Sequence, residues 1–288
     1  MKIIRNISEM QKYSDAIKRA ARKTPHVIGF VPTMGYLHEG HLSLVKAAVK
    51  ECTKVVVSIF VNPAQFGPNE DFAKYPRDEE RDLSLLEEIK GVDCVFIPLA
   101  DEMYPEGYAT YLSVENEMAK VLCGLSRPGH FKGVTTVVAK LINAVKPDKM
   151  YLGHKDMQQA VIITKMLRDM NYDTGVVICP TAREKDGLAL SSRNSYLSPE
   201  ERNTAPVLYK SLQMAESMAE LGERDAAVIV REIKRKLKEE KVEIDYVEVV
   251  NPYTLEKTDK ISGEALIAAA IFVGKTRLID NTIIRTND

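Results

Sequence analysis

The sequence predicts a doubly wound α/β sheet followed by a smaller α+β domain. Up to Cys179, short apolar runs alternate with amphipathic helical patterns. These runs are apolar along their whole length, which is typical of parallel strands that are covered on both faces. Right-handed crossovers between such strands produce a doubly wound sheet. After Ser198 the pattern changes to long helices and then strand-like segments, which favours a second domain.

The first domain begins with a helix in which Ser8 and Gln11 form a capping box before an apolar stripe of helical period. The predicted elements that follow are strand 27–31, helix 42–52, strand 55–61, helix 78–89, strand 92–97, helix 134–145, strand 150–152, helix 157–170 and strand 176–179.

The second domain begins at Ser198, where Ser-Pro-Glu-Glu is a strong helix start. We predict one helix from there to Leu221, a charged helix over 225–241, and strands over 244–250, 266–273 and 278–284. A polar loop over 181–194 joins the two parts. The predicted domains are therefore a Rossmann-like one over residues 1–184 and a smaller α+β one over residues 185–288.

Composition limits the classes of partner. Lys plus Arg number 40 and Asp plus Glu 41, so no overall positive field attracts nucleic acid or an anionic membrane. The longest apolar run, 265–273, is too short to span a bilayer. Four cysteines stand far apart without a Cys-x-x-Cys pair, which is typical of reduced packing residues. We expect a cytoplasmic protein.

Two histidines three residues apart, His38 and His41, follow strand 27–31 at the point where the next helical pattern starts. A helix start offers free N–H groups and a positive dipole end, which favour phosphate. The pair therefore predicts phosphoryl or nucleotidyl chemistry. Isolated histidines are often ordinary surface or core residues, and zinc is a second alternative. The pattern is not His-Glu-x-x-His, however, and no other histidine is close in sequence.

Polar segments also follow three other predicted strands. Gln65 comes after strand 55–61, Lys155 and Gln159 come after strand 150–152, and Ser191 to Arg193 come after strand 176–179. Glutamine can bind hydroxyl and carboxylate groups, lysine supplies charge to phosphate, and a Ser-Ser-Arg loop can grip a polyphosphate. Because parallel strands open onto one sheet edge, we expect one ligand crevice there.

Two further features leave alternatives open, and a third is a false match to a known motif. Asp82 lies at a helix start, where an acidic residue complements the dipole or reaches a magnesium ion on nucleotide phosphates. The glycine-framed segment 127–133 is either a lid that contacts a carboxylate or a structural loop. Gly274-Lys275-Thr276 is not a Walker loop, because Ala269 stands where that motif needs glycine and the preceding segment is strand-like.

Taken together, the motifs resemble the pantothenate synthetase, or pantoate–beta-alanine ligase, family. The resemblance runs from Phe30 to Asn194 in ordered motifs, and one departure is Leu190, where the family often has methionine. The motifs are Pro32-Thr33-Met34-Gly35, His38-Glu39-Gly40-His41, Phe60-Val61-Asn62-Pro63, Gln65-Phe66-Gly67, Arg127-Pro128-Gly129-His130-Phe131, Lys155-Asp156, Gln158-Gln159 and Ser191-Ser192-Arg193-Asn194.

The resemblance implies a homodimeric enzyme that uses ATP and Mg²⁺ to activate pantoate as an acyl adenylate, which beta-alanine then attacks. It implies His41, His38, Lys155 and Arg193 as catalytic residues, Gln65, Gln159 and Asn62 for substrate, and Asp82 for magnesium. The residues implied for ATP are Met34, Gly35, Tyr36, Leu37, His38, Glu39, Gly40, His41, Gly153, His154, Lys155, Asp156, Ala182, Leu190, Ser191, Ser192 and Arg193.

Two rival hypotheses remain at this point. The resemblance also implies the nucleotidyltransferase superfamily. A cytidylyl- or adenylyltransferase of that superfamily would keep the nucleotide in its product, whereas a ligase releases AMP. A tRNA synthetase would need a large basic face. A nucleotide-binding regulatory module would bind ATP without turnover. The histidine pair favours catalysis, because backbone amides suffice for binding.

Overall fold

The computed structural model describes residues 1–21, 26–68 and 70–286. These residues fall into two compact units. The first unit contains residues Met1–Glu115, Arg127–Gly153 and Ile162–Pro180, and the second contains Asn116–Ser126, His154–Val161 and Thr181–Asp288. The domain boundary between residues 184 and 185 stays a prediction. The second compact unit contains not only the carboxyl-terminal part of the chain but also the earlier segments Asn116–Ser126 and His154–Val161.

A parallel six-stranded sheet forms the first unit. Its strands are β1 (Lys2–Ile4), β2 (Ile28–Thr33), β3 (Lys54–Ile59), β4 (Cys94–Phe96), β5 (Lys149–Gly153) and β6 (Gly175–Cys179). They lie in the order β1-β4-β3-β2-β5-β6, and all pairs are parallel. The chain passes from β2 to β4 in one direction and continues at β5 on the other side of β2. A ligand crevice is expected at this reversal, outside the carboxyl ends of β2 and β5.

The helices up to residue 169 are α1 (Ile7–Ala20), α2 (Glu39–Glu51), α3 (Glu79–Glu88), α4 (Ala100–Met103), α5 (Cys123–Ser126), α6 (His130–Val145) and α7 (Met157–Asp169). Val45 and Ala48 of α2 are fully buried and pack in one core with Val31, Val57 and Val95 of the sheet. Burial of these aliphatic side chains is the main force that holds α2 on the sheet.

Helices and an antiparallel sheet form most of the second unit. Its helices α8 (Pro199–Thr204), α9 (Val207–Glu220) and α10 (Ala226–Glu239) precede β7 (Glu243–Val250), β8 (Glu264–Val273) and β9 (Thr276–Arg285). The strands lie in the order β7-β8-β9, and both pairs are antiparallel. Leu212, Ile233 and Ile267 belong to the apolar core of this unit. The predicted fold class, a doubly wound parallel sheet with a smaller α+β part, is confirmed.

Two predicted helix boundaries are wrong. The first helix begins at Ile7 and not at a Ser8 capping box, because the Asn6 side chain accepts the N–H of Glu9 at 2.8 Å and so caps it. The predicted helix from Ser198 to Leu221 is two helices, α8 and α9. Pro206 separates them, since proline has no N–H to donate to the carbonyl four residues earlier.

The sequence did not predict β1. This strand has three residues, too few to show a period, and it forms the edge of the sheet by pairing with β4. The segment 127–133 is also only partly a loop, because α6 starts at His130 after Gly129, whose φ is 83°. His130 and Lys132 therefore lie in the first turn of a helix.

Candidate active site

The loop that joins β2 to α2 has a left-handed backbone at two consecutive residues. φ is 80° at Gly35 and 48° at Tyr36. A Cβ atom at Gly35 would lie 2.9 Å from Cγ2 of Ile59 and 3.0 Å from Oδ2 of Asp82. Glycine is therefore required here both for its backbone conformation and for the close approach of α3.

Asp82 holds this loop from α3. Its Oδ2 accepts the N–H of Tyr36 at 2.7 Å, and its Oδ1 accepts the N–H of Leu37 at 2.6 Å. Its side chain is 1% exposed, and burial raises the pKa of the carboxyl group, while the two backbone hydrogen bonds act in the opposite direction. Arg81 completes the contact by donating to the carbonyl of Leu37 at 3.0 Å.

This geometry does not fit Asp82 as a magnesium ligand. Both carboxylate oxygens already accept backbone hydrogen bonds, and the Arg81 guanidinium lies 3.7 Å from Oδ1. Within residues 1–21, 26–68 and 70–286, no group of three or more His, Cys, Asp or Glu is arranged to hold a metal ion. We therefore infer that Asp82 positions the loop, and its magnesium role stays a prediction from the sequence.

His38 and His41 cap the amino terminus of α2. His38 Nδ1 accepts the N–H of Gly40 at 3.1 Å, and His41 Nδ1 accepts the N–H of His38 at 3.4 Å. The two rings are stacked with their centroids 4.0 Å apart. An imidazole whose Nδ1 accepts a hydrogen bond carries its proton on Nε2. Both histidines can therefore donate through Nε2 at the start of α2, whose dipole also favours an anion.

Gln65 lies in a 3-10 turn, Pro63–Gln65, directly after β3. Asn62 caps this turn and donates from Nδ2 to Oε1 of Gln65 and to the carbonyl of Gly133, both at 3.1 Å. The Asn62 Oδ1 accepts the hydroxyl of Tyr104 at 2.7 Å. Nε2 of Gln65 contacts Sδ of Met34 at 2.9 Å.

The substrate-binding role that the sequence suggested for Asn62 stays a prediction. Asn62 is 1% exposed, and protein groups engage both its Oδ1 and its Nδ2. Its Nδ2 orients the amide of Gln65, which remains the candidate for pantoate. The contact between Gln65 and Met34 brings the segments after β2 and β3 together, as expected for one sheet edge.

Three residues of segment 127–133, for which the sequence left a lid and a structural loop as alternatives, support the Gln65 turn. His130 Nδ1 is 2.9 Å from the carbonyl of Gln65, and Arg127 lies 3.1 Å from Nε2 of the same histidine. Arg127 also forms a two-point ion pair with Glu70. A Cβ atom on Gly133 would lie only 2.1 Å from the carbonyl of Ala64, so glycine lets α6 approach the turn.

In the second unit, Lys155 lies in a 3-10 turn, His154–Asp156, that leads into α7. The side chain of Asn281 on β9 donates to the carbonyls of His154 and Lys155, at 3.0 and 2.8 Å. Lys155 Nζ is 3.7 Å from the Asp156 carboxylate. Burial lowers the pKa of His154, and the positive charges of Arg183 and Arg285 add to this effect, while Asp280 opposes it.

The two neighbouring glutamines of α7 differ. Gln158 is buried and donates to the carbonyls of Met118 and Val121, while its oxygen accepts the N–H of Cys123. Its role is therefore structural within the second unit. Gln159 is half-buried and stays the candidate for substrate.

The remaining predicted ATP residues lie on a hairpin and a short turn of the second unit. Leu190 donates its N–H to the carbonyl of Ala182 at 2.9 Å, which places these two residues side by side. Ser191 caps the 3-10 turn Ser192–Tyr196 by accepting the N–H of Arg193 at 3.3 Å. Ser192 is buried. The hairpin is held by Arg183, which forms a two-point ion pair with Asp280 on β9.

The sequence model of the family described as Pantoate-beta-alanine ligase matches residues 2–283. The chain belongs to this family. The pantothenate synthetase of Thermotoga petrophila is 56% identical over 285 residues, covering 99% of this chain and 100% of that protein. The pantothenate synthetase of Acetivibrio thermocellus is 55% identical over 285 residues, with 99% of both chains covered.

Solved structures of the pantoate–beta-alanine ligase family agree with the fold. A crystal structure of pantothenate synthetase from Thermus thermophilus has a TM-score of 0.91 and 45% identity, covering 98% of this chain and 99% of that one. A pantoate–beta-alanine ligase from Francisella tularensis, complexed with beta-gamma ATP and beta-alanine, has a TM-score of 0.81 and 36% identity, covering 98% and 97%.

Membership of the pantoate–beta-alanine ligase family confirms the predicted enzyme class, a ligase of pantothenate biosynthesis that joins pantoate to beta-alanine. It also decides against the rival hypotheses of another nucleotidyltransferase and of a regulatory module. In the part of the chain that the structure describes, no helix has the length and apolar character needed to cross a membrane.

Proposed function

We propose that this chain makes pantothenate in two steps at the residues identified above. In the first step, a carboxylate oxygen of pantoate attacks the α-phosphorus of ATP. The new O–P bond gives pantoyl adenylate, and the bond to the β-phosphate breaks with release of pyrophosphate. In the second step, the amine of beta-alanine attacks the acyl carbon. AMP leaves, the nitrogen loses a proton, and pantothenate is formed.

The observation that carries this proposal is the hydrogen-bond state of His38 and His41. Each ring accepts a backbone N–H at Nδ1, so each presents an Nε2–H donor at the amino terminus of α2. Negative charge grows on the phosphoryl oxygens in the first step, and fixed donors stabilise such charge without reorganisation. We assign His41 as the proton donor to phosphate, with His38 beside it.

The other residues have roles that follow from their chemistry. Lys155 and Arg193 supply positive charge to the triphosphate, and Gln65 and Gln159 bind the hydroxyl and carboxylate groups of pantoate, with Gln65 next to the beta-alanine position. The remaining ATP contacts that we propose are Met34, Gly35, Tyr36, Leu37, Glu39, Gly40, Gly153, His154, Asp156, Ala182, Leu190, Ser191 and Ser192.

We propose that Mg²⁺ enters as part of the ATP substrate and not through Asp82. The ATP requirement draws support from the Francisella tularensis relative, which was solved with beta-gamma ATP. Cytoplasmic location and a homodimer also belong to the proposal. The cytoplasmic location is supported by the cysteines, which form no disulfide within the described residues. The homodimer is supported by the resemblance to the family. Sedimentation of the purified protein tests the dimer.

The reaction class is tested by one incubation with ATP, Mg²⁺, pantoate and beta-alanine, with nucleotide products separated by chromatography. We expect AMP and pyrophosphate to appear in equal amounts and only when pantoate is present. Formation of ADP would show an acyl phosphate route and would overturn the proposal. An assay without pantoate is the control for simple ATP hydrolysis.

A further inference from the structure

Two adjacent residues of β9, Asp280 and Asn281, contact the two segments of the second unit that are proposed to bind ATP. Asn281 donates to the carbonyls of His154 and Lys155, and Asp280 pairs with Arg183 beside Ala182. We propose that Asn281 is a positioning residue that fixes Lys155 for its role at the triphosphate. This inference rests on the proposed function, because it deepens the role of Lys155.

The chemistry of the contact fixes which atom of Asn281 faces the turn. Both partners are carbonyl oxygens, so only the amide nitrogen can serve them, and its two hydrogens match two acceptors. The carbonyls of His154 and Lys155 belong to the two peptide planes on either side of the Lys155 Cα atom. Peptide planes are rigid, so anchoring both of them fixes φ and ψ at Lys155 and the direction in which its side chain leaves.

The two polar atoms of the Asn281 side chain differ in their surroundings. The residue is 6% exposed, and its Oδ1 has no hydrogen-bond partner among the described residues. A buried acceptor without a partner destabilises a fold, whereas an apolar side chain of similar shape avoids that cost. Asparagine at this position is thus explained by its donor and by what the donor orients. Leucine would remove the unpaired Oδ1 but would also leave the carbonyls of His154 and Lys155 without this donor.

Asp280 adds a second anchor from the same strand. Its carboxylate is 2% exposed and binds both ends of the Arg183 guanidinium, with one contact at 3.0 Å. It also accepts the N–H of Asn281 at 2.9 Å, so the two anchors are joined. Arg183 further donates to the carbonyl of Gly187 and stacks on Tyr209 at 4.2 Å. The bond from Asn281 to Asp280 uses the backbone N–H, which a substitution keeps, and the other contacts of Arg183 do not involve the Asn281 side chain. A substitution at Asn281 therefore acts selectively on the Lys155 turn.

Asn281→Leu tests the proposal through steady-state kinetics. We expect kcat/KM for ATP to fall on the order of tenfold or more, since small misplacements of a charge cost that much, while KM for pantoate stays within twofold. Thr282→Val is the matched control on β9, because that hydroxyl bonds Glu216 on α9 instead. Wild-type ATP kinetics in Asn281→Leu would overturn the proposal.

A double-mutant cycle asks whether Asn281 acts through Lys155. In a Lys155→Ala background, Asn281→Leu is expected to change kcat/KM for ATP by less than twofold, because the charge that it positions is gone. A full additional loss in that background would contradict the inference, since Asn281 would then act independently of Lys155.

Two further measurements separate this inference from folding and from the proposed function. Without ATP, we expect the backbone amides of residues 154–159 to exchange hydrogen faster in Asn281→Leu than in wild type. Exchange in Thr282→Val should match wild type. Equal protection in all three proteins would refute the proposal that Asn281 holds the Lys155 turn. If Asn281→Leu does not fold, Asn281→Asp replaces it, because a carboxylate of the same shape repels both carbonyls. A wild-type protein that makes no AMP would refute the proposed function, whereas the exchange result would still decide the contact.

Discussion

The carboxylate of Asp82 accepts the backbone N–H of Leu37 at 2.6 Å, across 45 residues of sequence. With the N–H of Tyr36 at its other oxygen, it holds the loop that leads to His38 in a left-handed conformation. A buried carboxylate between two N–H donors explains how a loop with two consecutive positive φ values remains fixed. The arrangement makes α3 a support for the histidine pair.

Asp82→Asn should therefore impair the enzyme through the loop and not through magnesium. The amide places a donor against a backbone N–H, so we expect the free energy of unfolding to fall by about 1–3 kcal/mol and adenylation to fall on the order of tenfold or more. Glu80→Gln, at an exposed position of α3, is the control. Recovery of wild-type rate at tenfold higher Mg²⁺ would instead show that Asp82 is a metal ligand.

The roles of the two ring nitrogens of His38, Nδ1 as the cap of α2 and Nε2 as the proposed donor to phosphate, can be tested separately by substitution. Asparagine keeps an acceptor near the position of Nδ1 and is a strong N-cap, whereas alanine removes both functions. We expect His38→Asn to keep the urea unfolding midpoint of the wild type but to lose adenylation. In His38→Ala we expect a lower unfolding midpoint as well as the loss of adenylation. If His38→Asn kept full adenylation, His38 would serve only as the cap of α2 and the catalytic donor would be His41 alone.

Gln65→Ala should chiefly raise KM for pantoate, because substrate hydroxyl or carboxylate groups would lose their partner. Asn62→Ala is expected to raise the same KM, since Asn62 orients the Gln65 amide, and to destabilise the fold as well. Initial rates at varied pantoate and fixed ATP measure both effects. An unchanged KM for pantoate in Gln65→Ala would refute the role of Gln65.

Gly133→Ala should destabilise the first unit, because its Cβ atom would lie 2.1 Å from a backbone carbonyl. Relief of that clash requires movement of α6 or of the Gln65 turn, at a cost of about 1–3 kcal/mol. Gly153→Ala is the control for stability, since nothing lies within 4 Å of its Cβ position. Urea denaturation of the two variants measures the difference, and equal midpoints would contradict the packing argument.

The pKa of His154 predicts one contribution to the pH dependence of stability. Burial lowers this pKa below its ordinary value of 6.5, so at high pH the residue is neutral in both states. As pH falls below 6.5, the unfolded chain binds a proton before the folded one does, and the folded state loses stability. We expect His154→Gln to lose less unfolding free energy than wild type between about pH 7 and about pH 5.5. An equal decrease in unfolding free energy in the two proteins would show that His154 does not contribute to this pH dependence.

The sequence predicted elements with a continuous apolar run or a helical period, and it predicted residues whose chemistry is visible in a motif. The parallel strands and the His38 to His41 segment are of this kind. Local competition between caps was not visible, so Ser8 was chosen over Asn6. The break before α9 depended on Pro206, whose missing N–H outweighs a favourable helical pattern on both sides.

Roles that depend on partners distant in sequence could not be predicted. From the sequence, Asp82 is a metal ligand or a residue that complements the helix dipole, and nothing there predicts that its oxygens accept the N–H groups of Tyr36 and Leu37. Asn62 is separated from Gly133 by 71 residues, and Asn281 from His154 by 127. Only the folded chain brings such donors and acceptors together, and a single sequence holds no periodic signal for them.

The proposed reaction requires the chain to activate pantoate as an adenylate before beta-alanine reacts. The most direct test is exchange of labelled pyrophosphate into ATP without beta-alanine. We predict exchange that requires both pantoate and Mg²⁺ and that falls on the order of a hundredfold in His41→Ala. No exchange with wild-type protein that makes pantothenate, or exchange that does not require pantoate, would contradict the account.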